Sequence, residues 1–207
     1  MASIWYGVGV DDLPYLKPPA KLVSIEARTS EIQFSMGSEI LVGALLRTLA
    51  VSKPKGQFLE LGTGTGIATA WLLSGMNSES SLVSVDSDPV AQQVAREALG
   101  EDQRLTLVNC CAMEFLRMQA AETFDLVFAD AMPGKYQGLA DALAVVKPGG
   151  FYVIDDMLPQ PNWPEGHQAK VPVLLDKLAG NRNFQIIPLV WSSGVVIAVR
   201  TRSEIRT

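Results

Sequence analysis

The sequence predicts a doubly wound α/β domain, in which a mainly parallel sheet carries helices on both faces. Three observations predict it. Short apolar runs alternate with helix-length segments through most of the chain, the first run ends in a glycine-rich turn that leads straight into a helical pattern, and acidic residues stand at the ends of several later runs. The composition agrees with a folded domain: of 207 residues, 48% are hydrophobic and 19% charged, with 17 Gly and 12 Pro, which excludes disordered, collagen-like and coiled-coil chains.

The strand candidates are residues 57–61, 81–85, 105–109, 124–129, 151–155, 185–189 and 195–199. Several are apolar at consecutive positions, as strands covered on both faces must be. Helical spacing marks residues 67–73, 89–99, 113–120, 136–146 and 168–178 between them. Ahead of the first strand, EILVGALLRTLA reads as a helix capped by Ser38 and stopped at Lys53-Pro54. Only the short loop 190–194 separates the last two strands, too little for a helical crossover, so they should pair as an antiparallel hairpin. The first 20 residues, rich in Pro, Gly and aromatics, fit an arm, lid or dimer strap. The chain divides into a lead-in over 1–34 and one domain over 35–207.

Charge and cysteine usage narrow the function. With 17 Lys and Arg against 22 Asp and Glu, the net charge of -5 offers no general field for nucleic acid or an anionic membrane. The two cysteines, Cys110 and Cys111, are adjacent, which suits neither an ordinary disulfide nor a zinc site. The opening MASIWYGVGVDDLPYLKPP has no basic stretch followed by a long apolar one, and no later run approaches the roughly 20 apolar residues of a membrane span. A cytoplasmic protein is expected.

The glycine turn reads Glu60-Leu61-Gly62-Thr63-Gly64-Thr65-Gly66. Its GxGxG spacing differs from the GxGxxG that cradles a pyrophosphate, and Glu60 would repel a phosphate while suiting a cationic amino group, so a cofactor with an amino-acid tail fits better than a dinucleotide. Asp86 ends the second strand 20 residues after Gly66, where a carboxylate accepts hydrogen bonds from ribose hydroxyls. Asp88, followed by Pro89, reads as a helix cap. At the same sheet edge Asp130 ends one strand, and Asp155 and Asp156 end the next. Crowded carboxylates are costly unless protonated, paired or bridged by a cation, and oxygen-only donors suit Mg²⁺ or Ca²⁺.

In order along the chain, FLELGTGTG, LVSVDSDP, FDLVFADA and VVKPGGFYVIDD resemble the class I S-adenosylmethionine-dependent methyltransferases. Among these the chain looks like the small cation-dependent O-methyltransferases of the catechol and caffeoyl-coenzyme A type. The resemblance implies a seven-stranded sheet of order 3-2-1-4-5-7-6 with the last strand antiparallel, a homodimer, and a small hydroxylated, catechol-like acceptor. It places Gly62, Thr63, Gly64 and Gly66 beside the methionine moiety with Glu60 beneath, Asp86 and Ser87 at the ribose, Cys111 and Ala112 at the adenine, and Met36 near the amino-acid end. It puts Asp130 at the junction of cofactor and metal, with Asp155 and Asp156 completing a divalent site, Asp156 standing where the family has asparagine.

The family's lysine base lies three residues after the aspartate. Here Lys135 lies five after Asp130, and two readings stay open: a base brought back by Pro133-Gly134, or a solvated surface residue. His167, the only histidine, follows a loop with prolines flanking Asn162-Trp163, and reads either as a general base on a loop closing over the acceptor or as a surface or capping group. Trp163 either packs an aromatic acceptor or anchors the loop. The alternatives to this O-methyltransferase are a metal-independent methyltransferase using Lys135 or His167, and a cofactor-binding protein acting through partner contacts.

Overall fold

The computed structural model describes residues 13–202. The first residues of the expected arm, 1–12, lie outside that range. Seven strands form one sheet in the order β3-β2-β1-β4-β5-β7-β6. They are β1 Gln57–Leu61, β2 Ser81–Asp86, β3 Leu105–Asn109, β4 Phe124–Ala129, β5 Val146–Ile154, β6 Phe184–Leu189 and β7 Val195–Arg200. The first five pair in parallel, and β7 runs antiparallel to both β5 and β6, so the expected hairpin is present with β7 inserted between its partners.

The helices are α1 Leu22–Glu31, α2 Ile40–Val51, α3 Ile67–Gly75, α4 Pro89–Leu99, α5 Ala112–Arg117, α6 Met132–Lys135, α7 Leu139–Ala144 and α8 Lys170–Ala179. Strand alternation divides the core in two. Phe58, Leu126, Phe128 and Val153 point to the layer containing Leu46, Leu72 and Val94 of α2 to α4, whereas Leu59, Val127, Ala129 and Ile154 face Phe115, Leu143 and Leu178 of α5, α7 and α8. This two-sided burial is why these strands read as continuous apolar runs.

Local chemistry sets several boundaries. Asp88 Oδ1 accepts from the N–H groups of Val90 at 2.9 Å and Ala91 at 3.1 Å, with Pro89 in the first turn, as the cap reading required. Two helical expectations came out differently. Ser38 does not cap α2; Glu39 is at the cap position without a side-chain bond, and Ser38 turns to Asp130 instead. The segment expected as one helix over 136–146 is broken at Gly138, whose φ of +66° starts the shorter α7, and β5 begins already at Val146. Within the lead-in, α1 packs on the domain through fully buried Ile25 in the same apolar layer as α2 to α4.

Candidate active site

The glycine turn joins β1 to α3 at the carboxyl edge of the sheet. Gly62 has φ +102°, Gly64 φ +50° and Gly66 φ +92°. The three do different work. A Cβ on Gly66 would meet Ala95 Cβ of α4 at 2.8 Å, so Gly66 permits close helix packing, and it does not border the cleft; Gly62 and Gly64 do.

Glu60 lies under this turn, fully buried. Its Oε2 accepts from Ser84 Oγ and Thr69 Oγ1, both at 2.5 Å, and Ser84 Oγ also bonds Thr63 Oγ1 at 2.7 Å. Gln92 Nε2 donates to Thr63 Oγ1 at 3.1 Å, which ties the turn to α4. Burial pushes the Glu60 carboxyl from the ordinary 4.5 to about 8; the hydrogen bonds from Ser84 and Thr69 oppose the rise, and the charges of Asp130 and Asp86 add to it. The sequence reading set Glu60 beneath the turn as an acid suited to a cationic amino group; here it is buried in a hydrogen-bonded network that holds the turn, with its carboxyl pushed toward the neutral form.

The sign of the linkage gives a testable consequence. Between pH 4.5 and about 8 the folded protein keeps a proton on Glu60 that the unfolded chain releases, so this group's contribution to stability declines as pH rises through that window. Glu60→Gln is expected to lose this slope and to gain on wild type steadily from pH 5 to pH 8, by an amount on the order of a few kcal/mol. Urea unfolding across that range checks it. A difference that is constant with pH would refute the assignment.

A cleft of about 290 Å³ opens over the turn. Gly62, Thr63, Gly64 and Thr65 form one wall, Asp86 and Ser87 the rim beyond β2, Phe34, Met36 and Ser38 a cover, and Asp130 the far end. Asp86 is half-buried; its Oδ2 accepts from Gly64 N–H at 2.7 Å and its Oδ1 from Asp88 N–H at 2.8 Å. An ionised carboxylate has about four acceptor sites, so two remain for ligand hydroxyls. Cys111 and Ala112 do not border this cleft. Cys111 is exposed at the start of α5, and Ala112 is buried in the core layer of α5, α7 and α8.

A second cavity of about 280 Å³ adjoins the first, and the two share Met36, Gly37, Ser38 and Asp130. Its lining is polar and acidic: Glu39, Asp130, Asp155 and Asp156 face it, with Gln160 and Asn162 from the proline-rich loop and Ser193 from the turn before β7. The loop is held over it by Asn162 Nδ2 on the Ser35 carbonyl at 3.1 Å and Gln160 Nε2 on that of Ser193 at 3.3 Å.

Asp130 and Asp155 meet this rim with carboxylate oxygens already engaged. Asp130 Oδ2 accepts from Ser38 Oγ at 2.8 Å, and its Oδ1 lies 3.5 Å from Lys135 Nζ. Asp155 Oδ1 accepts from Ser193 Oγ and from Asp156 N–H. Asp156 itself has φ +57°. Burial raises both the Asp130 and Asp155 carboxyls, with the neighbouring aspartates adding to the rise and Lys135 opposing it. Among the described residues no group of three or more His, Cys, Asp or Glu side chains is arranged to hold a metal ion. As placed, these donors do not fit the divalent site that the resemblance implied.

Lys135 is 5% exposed, so the surface reading does not hold. Its ammonium donates to the Asp155 carbonyl at 2.9 Å and pairs with Asp130, reaching both from behind, since it borders neither the cleft nor the acidic cavity. His167 is likewise buried and away from both cavities. Trp163 stacks on it at 4.4 Å, and Tyr136 Oη lies 3.2 Å from its Nε2. Desolvation and the charges of Lys170 and Lys135 lower its pKa. The pair therefore anchors the proline-rich loop to α6, and Trp163 takes the anchoring role of its two readings.

Residues 59–157 match the family model described as a methyltransferase domain. That stretch, just under half of the chain, is similar to a methyltransferase domain. A protein of Mycolicibacterium vanbaalenii named "Putative O-methyltransferase" is 36% identical over 118 residues, covering 55% of this chain and 52% of that one. A protein of the same name from Mycobacterium sp. strain KMS is 34% identical over 139 residues, 63% of each chain. The chain thus spans about half the length of the first relatives it matches. The whole fold also has solved counterparts. One is the O-methyltransferase from Bacillus cereus in complex with S-adenosylhomocysteine, with TM-score 0.80, 18% identity, and coverage of 92% of this chain and 94% of that. Another is the O-methyltransferase TomG of Streptomyces achromogenes in complex with S-adenosylmethionine, with TM-score 0.77, 22% identity, and coverage of 92% and 93%. Among the described residues no helix is long and apolar enough to cross a membrane.

Four side chains at this site escaped the sequence reading. Thr29 of α1 donates to Thr65 Oγ1 at 2.7 Å, Phe34 covers Gly64, Ser38 bonds Asp130, and Ser193 bonds Asp155. Each comes from a segment distant in sequence, and no local pattern marks it.

Proposed function

We propose that this protein transfers the methyl group of S-adenosylmethionine to a hydroxyl of a small, polar acceptor. The observation that carries this reading is the junction of two cavities at Ser38 and Asp130, one over the glycine turn and one lined by carboxylates and amides. When bound, S-adenosylmethionine supplies an electrophilic methyl carbon on a sulfonium. Asp86 would accept the ribose hydroxyls, and the bare backbone of Gly62 and Gly64 lets the amino-acid end approach the turn. Thr63 and Ser87 extend the same wall, with Met36 spanning both cavities.

Asp130 is the carboxylate common to both cavities, and its raised pKa brings it closer to the range of a working base. In this reading it takes the proton of the acceptor hydroxyl as that oxygen bonds the methyl carbon, while the carbon–sulfur bonding pair returns to sulfur and a neutral thioether leaves. Ser38 steadies the carboxylate through its hydrogen bond. Glu39, Asp130, Asp155 and Asp156 make the acceptor cavity strongly acidic, which favours a hydroxylated neutral or cationic acceptor over an anionic one.

Calorimetric titration of the purified protein with S-adenosylhomocysteine tests the first half of the reading. Saturable one-to-one binding is expected. A screen of hydroxylated acceptors, read by release of S-adenosylhomocysteine, tests the second. Absence of nucleoside binding would sink the reading, and binding without turnover on any acceptor would favour a cofactor-binding protein.

A further inference from the structure

We propose that the Lys135 ammonium is a built-in cation that takes over, from behind the carboxylates, the charge compensation assigned by resemblance to a divalent ion. The inference rests on the methyl-transfer reading above and names how that site is neutralised.

The position of Lys135 is built by the fold and is not that of a passing surface side chain. In α6, Pro133 has ψ 138° and Gly134 φ +91°, both outside helical values, so the chain doubles back between Asp130 and Lys135. The turn is locked from several sides. Gly134 N–H donates to the Gln137 carbonyl at 2.7 Å, and the fully buried Tyr152 donates its hydroxyl to the Gly134 carbonyl at 2.5 Å. A Cβ at Gly134 would stand 2.6 Å from Leu61 Cδ1, so the core itself requires glycine there.

The charge sits where it substitutes for an ion. Lys135 Nζ lies 3.5 Å from Asp130 Oδ1 and 2.9 Å from the Asp155 carbonyl, with 5% of the side chain exposed. The ammonium thus stands beside the Asp130 carboxylate and against the backbone of Asp155, and a cation so placed lowers the cost of ionising either aspartate. A dication brought to the same oxygens would face an adjacent buried ammonium in a medium that screens poorly, so Lys135 in this position disfavours a metal there. Lys135 borders neither the cofactor cleft nor the acidic cavity, and it therefore acts as a positioning residue.

The test is a titration of the full chain with Mn²⁺, followed by the electron paramagnetic resonance signal of free ion, with and without S-adenosylhomocysteine, on wild type and Lys135→Gln. Thermal melts with and without Mg²⁺ run alongside. Wild type is expected to show no saturable Mn²⁺ binding and no Mg²⁺ shift in Tm. Lys135→Gln should melt lower, bind Mn²⁺ saturably and recover part of its Tm in Mg²⁺, a response that a merely structural lysine would not produce. Saturable Mn²⁺ binding by wild type would overturn the proposal, as would a folded Lys135→Gln indifferent to both ions. If Lys135→Gln does not fold, the wild-type titration decides alone. The S-adenosylhomocysteine arm separates the two claims: wild type that ignores the nucleoside refutes the methyl-transfer reading, whereas metal binding refutes only the lysine assignment.

Discussion

Asp86→Ala is expected to weaken S-adenosylhomocysteine binding by on the order of a hundredfold, about 3 kcal/mol. The carboxylate has two tasks. It tethers the backbone of Gly64 and Asp88 at 2.7 and 2.8 Å, and in the proposed complex it also accepts the ribose hydroxyls. Hydrogen bonds to a charged acceptor contribute about 1.5–3 kcal/mol each, so losing the ribose contacts alone gives a loss of this size, and a loosened turn adds to it. Asp86→Asn keeps one carbonyl acceptor and should fall between, at roughly tenfold. Calorimetry on the three proteins measures the series. An alanine variant binding within about threefold of wild type would remove Asp86 from the ribose site.

Gly62→Ala should cost about 2–4 kcal/mol of stability and impair nucleoside binding with it. At φ +102° an L side chain is strained, and the added Cβ would lie 2.9 Å from the Asp130 carbonyl oxygen and 3.0 Å from its carbon. Both obstacles are backbone, so no rotamer change relieves them. Moving the turn away shifts Asp130 relative to Gly64, and both line the cleft. Gly166→Ala is the control: its φ of +77° carries similar strain, but nothing lies within 4 Å of the new Cβ. That variant should lose only about 1 kcal/mol and bind normally. Equal losses of stability in urea unfolding of the two variants would refute the clash.

Much of the site could be read along the chain because it lies at the ends of strands. Gly62, Gly64, Asp86 and Asp130 each close a run whose apolar pattern marks its strand, and the carboxyl ends of parallel strands share one edge. The cap at Asp88 was legible for the same local reason. Glu60 was located correctly and its chemistry misjudged, since whether a carboxylate is an exposed charge or a buried neutral acid depends on Ser84 and Thr69, which reach it from another strand and from a helix.

What the sequence determined by itself is the order of elements, the two-sided sheet and the carboxylates gathered at its rim, because alternation, caps and glycine turns are short-range properties. Only the tertiary structure decided what those carboxylates do. Ser38 meets Asp130 across 92 residues, Ser193 meets Asp155 across 38, and Lys135 turns back on both through a turn locked by Tyr152 and Leu61. Charge state, metal fit and the division between cleft and acceptor cavity depend on distances of a few ångströms between segments far apart in the chain. Those distances are set by how the helices and loops pack on the finished sheet.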